Sequence, residues 1–327
     1  MIISRTPLRM SFVGGGSDLP DFYRKHGGAV LSTAIDKYIH VTVNRKFDDG
    51  IRVAYSKNEE VTSVDKVEHR LVRAALTQMN IAGGVEITTI ADVPSHGTGL
   101  GSSSSFTVGL INALSAFQGR HVSCDELGLR SSHLEIDVCG EPIGKQDQYA
   151  AAFGGLNLIE FRSDDSVLVT PVTMAPETRN RMFRQVIVFY TGIARSASGL
   201  LKQQSEDVSN DAAKQKTLQQ MVALAYRCRD ELQQGRLDSF GEMLHENWLL
   251  KKSLSQGVSS NIIDEWYEKG RASGALGGKI LGAGSGGFLM FYAPEEAHEK
   301  IAAALAPLRR VHFGFEPLGS RIVFYNP

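Results

Sequence analysis

The stretch DVPSHGTGLGSSSSF, Asp92 to Phe106, constrains the fold of this chain more than any other. Glycines stand at 97, 99 and 101, and four serines follow without a break. A β-branched run, VEITTIADV, leads in. On the far side Phe106, Leu110, Leu114 and Phe117 fall on one face of a helix. The segment therefore predicts strand, glycine loop and helix in that order. Glycine permits positive φ and lets a ligand come close to the backbone. The first turn of a helix presents unpaired N–H groups at the positive end of its dipole, so the combination suits phosphate. Ser102 alone would suit simple capping. Four serines after G-x-G-x-G favour an anion site, with hydroxyls as extra donors and one as a metal ligand. The nucleotide loop G-x-x-x-x-G-K-[ST] does not fit, because no lysine follows Gly101.

Two further loops are rich in glycine. KILGAGSGGFLMFY places Gly282, Gly284 and Gly287 in the spacing G-x-G-x-x-G. A dinucleotide site needs a helix after those glycines. FLMFY reads as a strand instead, which leaves a glycine-rich hairpin or a loop that approaches a ligand. PLRMSFVGGGSDLP flanks three glycines with Arg9 and Asp18. It is either a turn or a site for a hydroxylated, anionic ligand.

The first third otherwise reads as strands, AVLSTAID, YIHVTVNRKF and IRVAYS, with one helix near Asp65 to Asn80. CDELGLRSSHLEID and GKQDQYAAAFGG read as helices, the second closed by a glycine pair. LNLIEF and SVLVTPV return to strand. A polar, proline-bearing stretch from Ala175 to Arg181 sets the expected boundary between an N-terminal unit, 1–180, and a C-terminal unit, 181–327. Long amphipathic helices then run from about Ala197 to Gly274. Strand FLMFYA, helix EEAHEKIAAALAPL and strands RVHFGFE and SRIVFY close the chain. The pattern is α+β in two units, which 327 residues accommodate.

The formal net charge of −1 sets up no field toward nucleic acid or an acidic membrane. No apolar run approaches the roughly 20 residues that cross a bilayer, and the N-terminus reads as no secretory signal. Cys124, Cys139 and Cys228 fit no disulfide framework or ligand pair. A cytoplasmic protein is expected.

Phosphoryl transfer needs positioning, charge neutralisation, a metal and often a base. Glu135 in SHLEID and Asp147 in GKQDQ are candidates, although each taken alone reads better as a solvated helix residue. Lys145, two residues before Asp147, would favour the aspartate's charged form. HLE with Cys139 gives half of a zinc deaminase pattern; the P-C-x-x-C half is missing, and zinc is rejected.

Taken in order, PLRMSFVGGGSD, PSHGTGLGSSSS and KILGAGSGGFLM resemble the three motifs of the GHMP small-molecule kinases, from Pro7 to about Met290. The GGGSDLP form is similar to that of heptose 7-phosphate kinases and fucokinase-type domains. The resemblance implies an N-terminal domain like ribosomal protein S5 domain 2 and a ferredoxin-like C-terminal domain, with ATP and sugar meeting between them. It implies Asp147 as catalytic base, paired with Arg9 and neighboured by Lys145. Glu135 and Ser103, with Ser102 as alternative, would hold Mg²⁺. Gly97, Gly99, Leu100, Gly101, Ser102 and Ser104 would wrap the ATP phosphates. Gly15, Gly16, Ser17 and Asp18 would meet the sugar, and Gly284 and Gly286 would let the third motif approach. Galactokinases carry a Gly-Glu-His-Thr-Asp type sequence at the first motif; the glycines here leave room for a larger or phosphorylated sugar. Such a sugar phosphate needs a cation at its far end. Arg195 in TGIARSA, where Ser196 would cap a helix, Lys145, and Lys251 or Lys252 are the candidates, with the lysine pair reading better as a solvated helix face. A homodimer is allowed, and a non-catalytic sugar sensor is the second reading.

Overall fold

A computed structural model describes residues 1–94, 97–193 and 197–327, and nothing of the side chains of 197 and 198. Strands β1 (Ile2–Val13), β2 (Gly28–Arg45), β3 (Ile51–Ala54), β4 (Asn58–Val61), β5 (Val85–Ala91), β6 (Leu156–Phe161) and β7 (Val167–Pro171) belong to one sheet. Strands β8 (Val186–Tyr190), β9 (Gly277–Ile280), β10 (Phe288–Tyr292) and β11 (Arg309–Val311) form a second. The last strand, β12 (Arg321–Tyr325), returns to the first sheet and lies antiparallel to β1.

The first sheet has the order β12-β1-β2-β5-β3-β4, with β6 and β7 continuing from the first half of β2. β2 has 18 residues, so it pairs β6 through Gly28–Thr33 and β5 through Ile39–Arg45. AVLSTAID and YIHVTVNRKF are thus one strand. The sequence breaks at Asp36–Lys37 because the pairing with β1 shifts there, between Pro7 and Leu8. β1 itself is buried on both faces over Thr6–Val13, so it shows no alternation to read.

The second sheet has the order β11-β8-β10-β9 with every neighbour antiparallel, the ferredoxin-like arrangement. The two halves share one apolar core. The ring of Phe12 on β1 meets Phe240 edge-on at 5.3 Å, and Phe240 meets Tyr292 of β10 at 4.9 Å.

Several helices depart from the sequence reading. Asp65 to Asn80 holds a 3₁₀ turn, Val64–Lys66, and a helix, Arg70–Gln78. The polar stretch at the expected boundary is the helix Pro176–Arg184, with proline in its first turn. CDELGLRSSHLEID divides into an α-helix, Cys124–Ser132, and a π-helical turn, His133–Val138. The serine helix, Ser102–Phe117, is buried on nearly every side, because Gly109 lets it lie close to Thr6 of β1. No helix among the described residues is long and apolar enough to cross a membrane.

The helix Asp238–Leu254 seats directly on β9. A Cβ on Gly277 would stand 1.8 Å from the carbonyl oxygen of Gly241, so the two backbones touch. Gly277→Ala must lift the helix off the sheet and should destabilise the protein by about 2 kcal/mol or more in urea unfolding. Gly199→Ala, with open space within 4 Å, should be neutral or slightly stabilising in the same measurement.

Candidate active site

A cleft of about 490 Å³ opens where the three glycine loops converge, lined among others by Arg9, Asp18, Ser103, Glu135, Asp147 and Lys251. Arg9 is 4% exposed and reaches it from β1. Its Nε and Nη2 donate to the two oxygens of Asp147 at 2.8 Å each, and its Nη1 donates to the Gly99 carbonyl at 2.6 Å. Its main-chain N–H donates to the Leu100 carbonyl at 3.1 Å. One residue therefore ties β1, the middle loop and the first turn of the helix Gln146–Phe153. Leu100 belongs to this frame through its carbonyl, and its side chain is fully buried in the core.

The middle loop keeps positive φ at Gly97, Gly99 and Gly101. A Cβ on Gly99 would lie 2.2 Å from the Leu281 carbonyl oxygen, and one on Gly282 would lie 2.5 Å from the Gly99 Cα. The second and third loops thus meet backbone to backbone. Gly284 and Gly286 line the cleft beside this contact. Gly101 precedes the serine helix in a left-handed conformation, and no side chain among the described residues caps that helix. The capping role allowed for Ser102 does not hold, since its hydroxyl lies 3.4 Å from that of Thr98. Gly101 to Ser104, at the N-terminus of the serine helix, line the cleft, as an anion site requires.

Glu135 sits on the π-helical turn and is fully buried. Ser103 Oγ donates to its Oε1 at 3.0 Å, and Gln148 Nε2 donates to its Oε2 at 2.6 Å. Burial pushes its carboxyl up to about 7; the donors Gln148, Ser104 and Ser103 oppose this, and Asp147 adds to it. Asp18 accepts from the Gly16 N–H at 2.9 Å and from Gln146 Nε2 at 3.0 Å. Burial, and then Asp147, hold its carboxyl above the usual range. Gln146 Oε1 is buried in the cleft lining with no partner among the described residues, an acceptor left for a hydroxyl.

Three expectations are corrected. Lys145 does not face Asp147: its ammonium lies 3.4 Å from Asp165 Oδ1 and over the Tyr23 ring at 5.0 Å, in a separate surface groove. Ser17 is turned inward, its hydroxyl donating to the Gly14 carbonyl at 2.8 Å, so it shapes the loop and does not line the cleft. The lysine pair is not a solvated face. Lys252 is, pairing with Asp264 at 3.0 Å, but Lys251 is 3% exposed and enters the cleft. The signal was in the sequence: Leu244, Trp248 and Lys251 recur at the spacing of the buried stripe. Arg195 and Ser196 lie outside the described residues. Gln146 and Gln148 carried no sequence signal beyond their neighbour Asp147.

A buried carboxyl with a raised pKa costs stability. Its unfolded form loses its proton near 4.5 and its folded form near 7, so stability falls as pH rises between those values and stays low above them. Glu135→Gln should abolish that slope and raise the stability of the metal-free protein at pH 7.5 by on the order of 3 kcal/mol, read by thermal melts across pH.

The family profile described as GHMP kinases N terminal domain matches residues 66–155, and that described as GHMP kinases C terminal matches residues 228–308. Together they span a little over half of the chain. The D-glycero-alpha-D-manno-heptose 7-phosphate kinase of Campylobacter jejuni is 29% identical over 321 residues, 92% of each protein. The L-fucokinase/L-fucose-1-P guanylyltransferase of Bacteroides fragilis is 26% identical over 96% of this chain and 37% of that one. A crystal structure of a D-glycero-D-manno-heptose 1-phosphate kinase from Bacteriodes thetaiotaomicron shares the fold, with a TM-score of 0.81 over 100% of both chains at 24% identity. With both profiles in place and the three motifs gathered around one cleft, the chain belongs to the GHMP kinases and is a sugar kinase.

Proposed function

We propose that the enzyme phosphorylates the anomeric C1 hydroxyl of D-glycero-D-manno-heptose 7-phosphate and gives the 1,7-bisphosphate. The observation that carries this reading is the two-point Arg9–Asp147 pair, set in the cleft against an uncapped helix N-terminus. The helix and glycine N–H groups bind the ATP phosphates. Asp18 and the free Gln146 oxygen orient sugar hydroxyls. Asp147 accepts the proton of the C1 hydroxyl while that oxygen bonds to the γ-phosphorus and the bond from phosphorus to the β-phosphate oxygen breaks, releasing ADP. Arg9 fixes the carboxylate's orientation, so the base is in place before the sugar arrives.

Mg²⁺ fits the residues present. The Ser103 hydroxyl and Glu135 carboxylate are oxygen donors 3.0 Å apart, and a hard cation of this kind takes one or two protein oxygens plus phosphate and water. When bound, it would neutralise charge on the phosphates. Among the described residues no group of three His, Cys, Asp or Glu would hold a metal without such outside ligands. The free thiols of Cys124, Cys139 and Cys228 and the use of ATP suit the cytoplasm.

The heptose relative and the polar space beside Gly15 in the first motif support a sugar phosphate as acceptor. The fucokinase relative favours a second reading, an unphosphorylated 6-deoxy sugar. Coupled ADP release over heptose 7-phosphate, heptose, fucose, mannose and galactose separates them: heptose 7-phosphate should give the highest kcat/KM, and fucose would do so on the second reading. Asp147→Asn should lower kcat by at least about 100-fold with ATP affinity nearly unchanged. Turnover close to wild type would remove Asp147 as the base.

A further inference from the structure

The first motif of this chain has a glycine at 15, and the space its side chain would fill is polar. A Cβ built there would stand 3.5 Å from Ser11 Oγ, 3.7 Å from Gln146 Nε2 and 3.7 Å from Lys251 Nζ. Ser11 is 3% exposed, and its hydroxyl has no hydrogen-bond partner among the described residues. Lys251 donates to the Gly282 carbonyl at 2.9 Å. That is a thin environment for a buried cation, since buried charges are ordinarily paired with charge. Arg9 has Asp147, and Lys252 has Asp264. Among the described residues, no carboxylate lies within ion-pair distance of Lys251, so its other two N–H donors remain for something that enters the cleft.

We propose that Lys251, with Ser11 beside it, forms the subsite that binds the non-reacting phosphate of the acceptor sugar. The proposal rests on the reading of the substrate as a sugar phosphate and names the group that recognises it. Asp18 stands on one side of the subsite with its carboxyl already committed to Gly16 and Gln146. The hydroxyls of the sugar would lie along Asp18 and Gln146, and its phosphate would reach the ammonium. A side chain at 15 would fill this space, which gives the glycine a physical reason. The helix Asp238–Leu254 supplies the lysine, and the Gly241–Gly277 contact fixes the height at which it enters.

The charged groups facing Lys251 are Arg9 on β1, Asp18 after it, Asp147 on its helix and Lys279 on β9. Burial brings the Lys251 ammonium down to about 8; Asp18 opposes this and Arg9 adds to it. A bound phosphate favours the charged form, and raising the pH removes it. An arginine at 251 would stay charged throughout.

The test measures kcat and KM for heptose 7-phosphate and for heptose itself in wild type, Lys251→Gln, Lys251→Arg and Ser11→Ala. Wild type should prefer the phosphorylated sugar. Lys251→Gln should lose on the order of 100-fold in kcat/KM for that sugar, mostly through KM, and change little with heptose. Lys251→Arg should restore part of the loss and should lack the rise in KM expected of wild type as pH passes above about 8. Ser11→Ala carries no charge change, and should raise KM for the phosphorylated sugar alone by a few-fold even if Lys251→Gln folds poorly. Equal losses on both sugars, expressed in kcat, would overturn the subsite and move Lys251 to the transferring phosphoryl group. A wild type with no preference for the phosphate would instead overturn the substrate reading itself.

Discussion

The site depends on the paired hydrogen bonds between Arg9 and Asp147. Arg9 is nearly buried, and one guanidinium serves a carboxylate on one side and a loop carbonyl on the other. A buried ion pair of this kind is weak evidence for stability, because desolvation offsets most of its attraction. Its value lies in placement. Three segments far apart in sequence, β1, the middle glycine loop and the helix Gln146–Phe153, are held at one point, and that point is where the proposed mechanism moves the proton. Glu135 carries the same signature, since a fully buried carboxyl at the bottom of a cleft costs stability that binding an oxygen-ligated cation would offset.

Glycine does the second structural task. The Gly99–Gly282 contact brings the middle loop against the third, and so brings the first sheet's ligands to the second sheet's. The Gly241–Gly277 contact does the same for the helix that carries Lys251. Each removes a Cβ to shorten a distance that a side chain would prop open. The continuous core through Phe12, Phe240 and Tyr292 then fixes how the halves meet. The cleft is consequently built from backbone approach and two buried cations, and its walls need few long side chains.

Much of this was legible from residue order. The serine run opens a helix, the glycine pair closes the helix of Asp147, and Arg9, Ser103, Glu135 and Asp147 gather in one cleft. What was not legible has specific causes. β1 is buried on both faces, so it has no period-two pattern, and β2 hides its continuity behind a shift in pairing at Asp36–Lys37. The return of β12 to the first sheet is a long-range pairing that local pattern cannot show. Lys145 seemed well placed by spacing, but successive helix positions point in different directions, and Asp165 and Tyr23 claim its ammonium. Lys251 was misread for the opposite reason. A charged type suggested solvent, while its position on the apolar stripe of its helix pointed inward.

The proposed reading places phosphate recognition and phosphate transfer at opposite ends of one bound sugar, the first at Lys251 and the second at Asp147. The direct measurement is ³¹P NMR of the product formed from heptose 7-phosphate and Mg-ATP. The expected spectrum keeps the 7-phosphate signal and gains a second sugar-phosphate signal coupled to the anomeric proton, as ATP is converted to ADP. A phosphate added at any other carbon, or ATP consumed with no new sugar phosphate, would contradict this assignment.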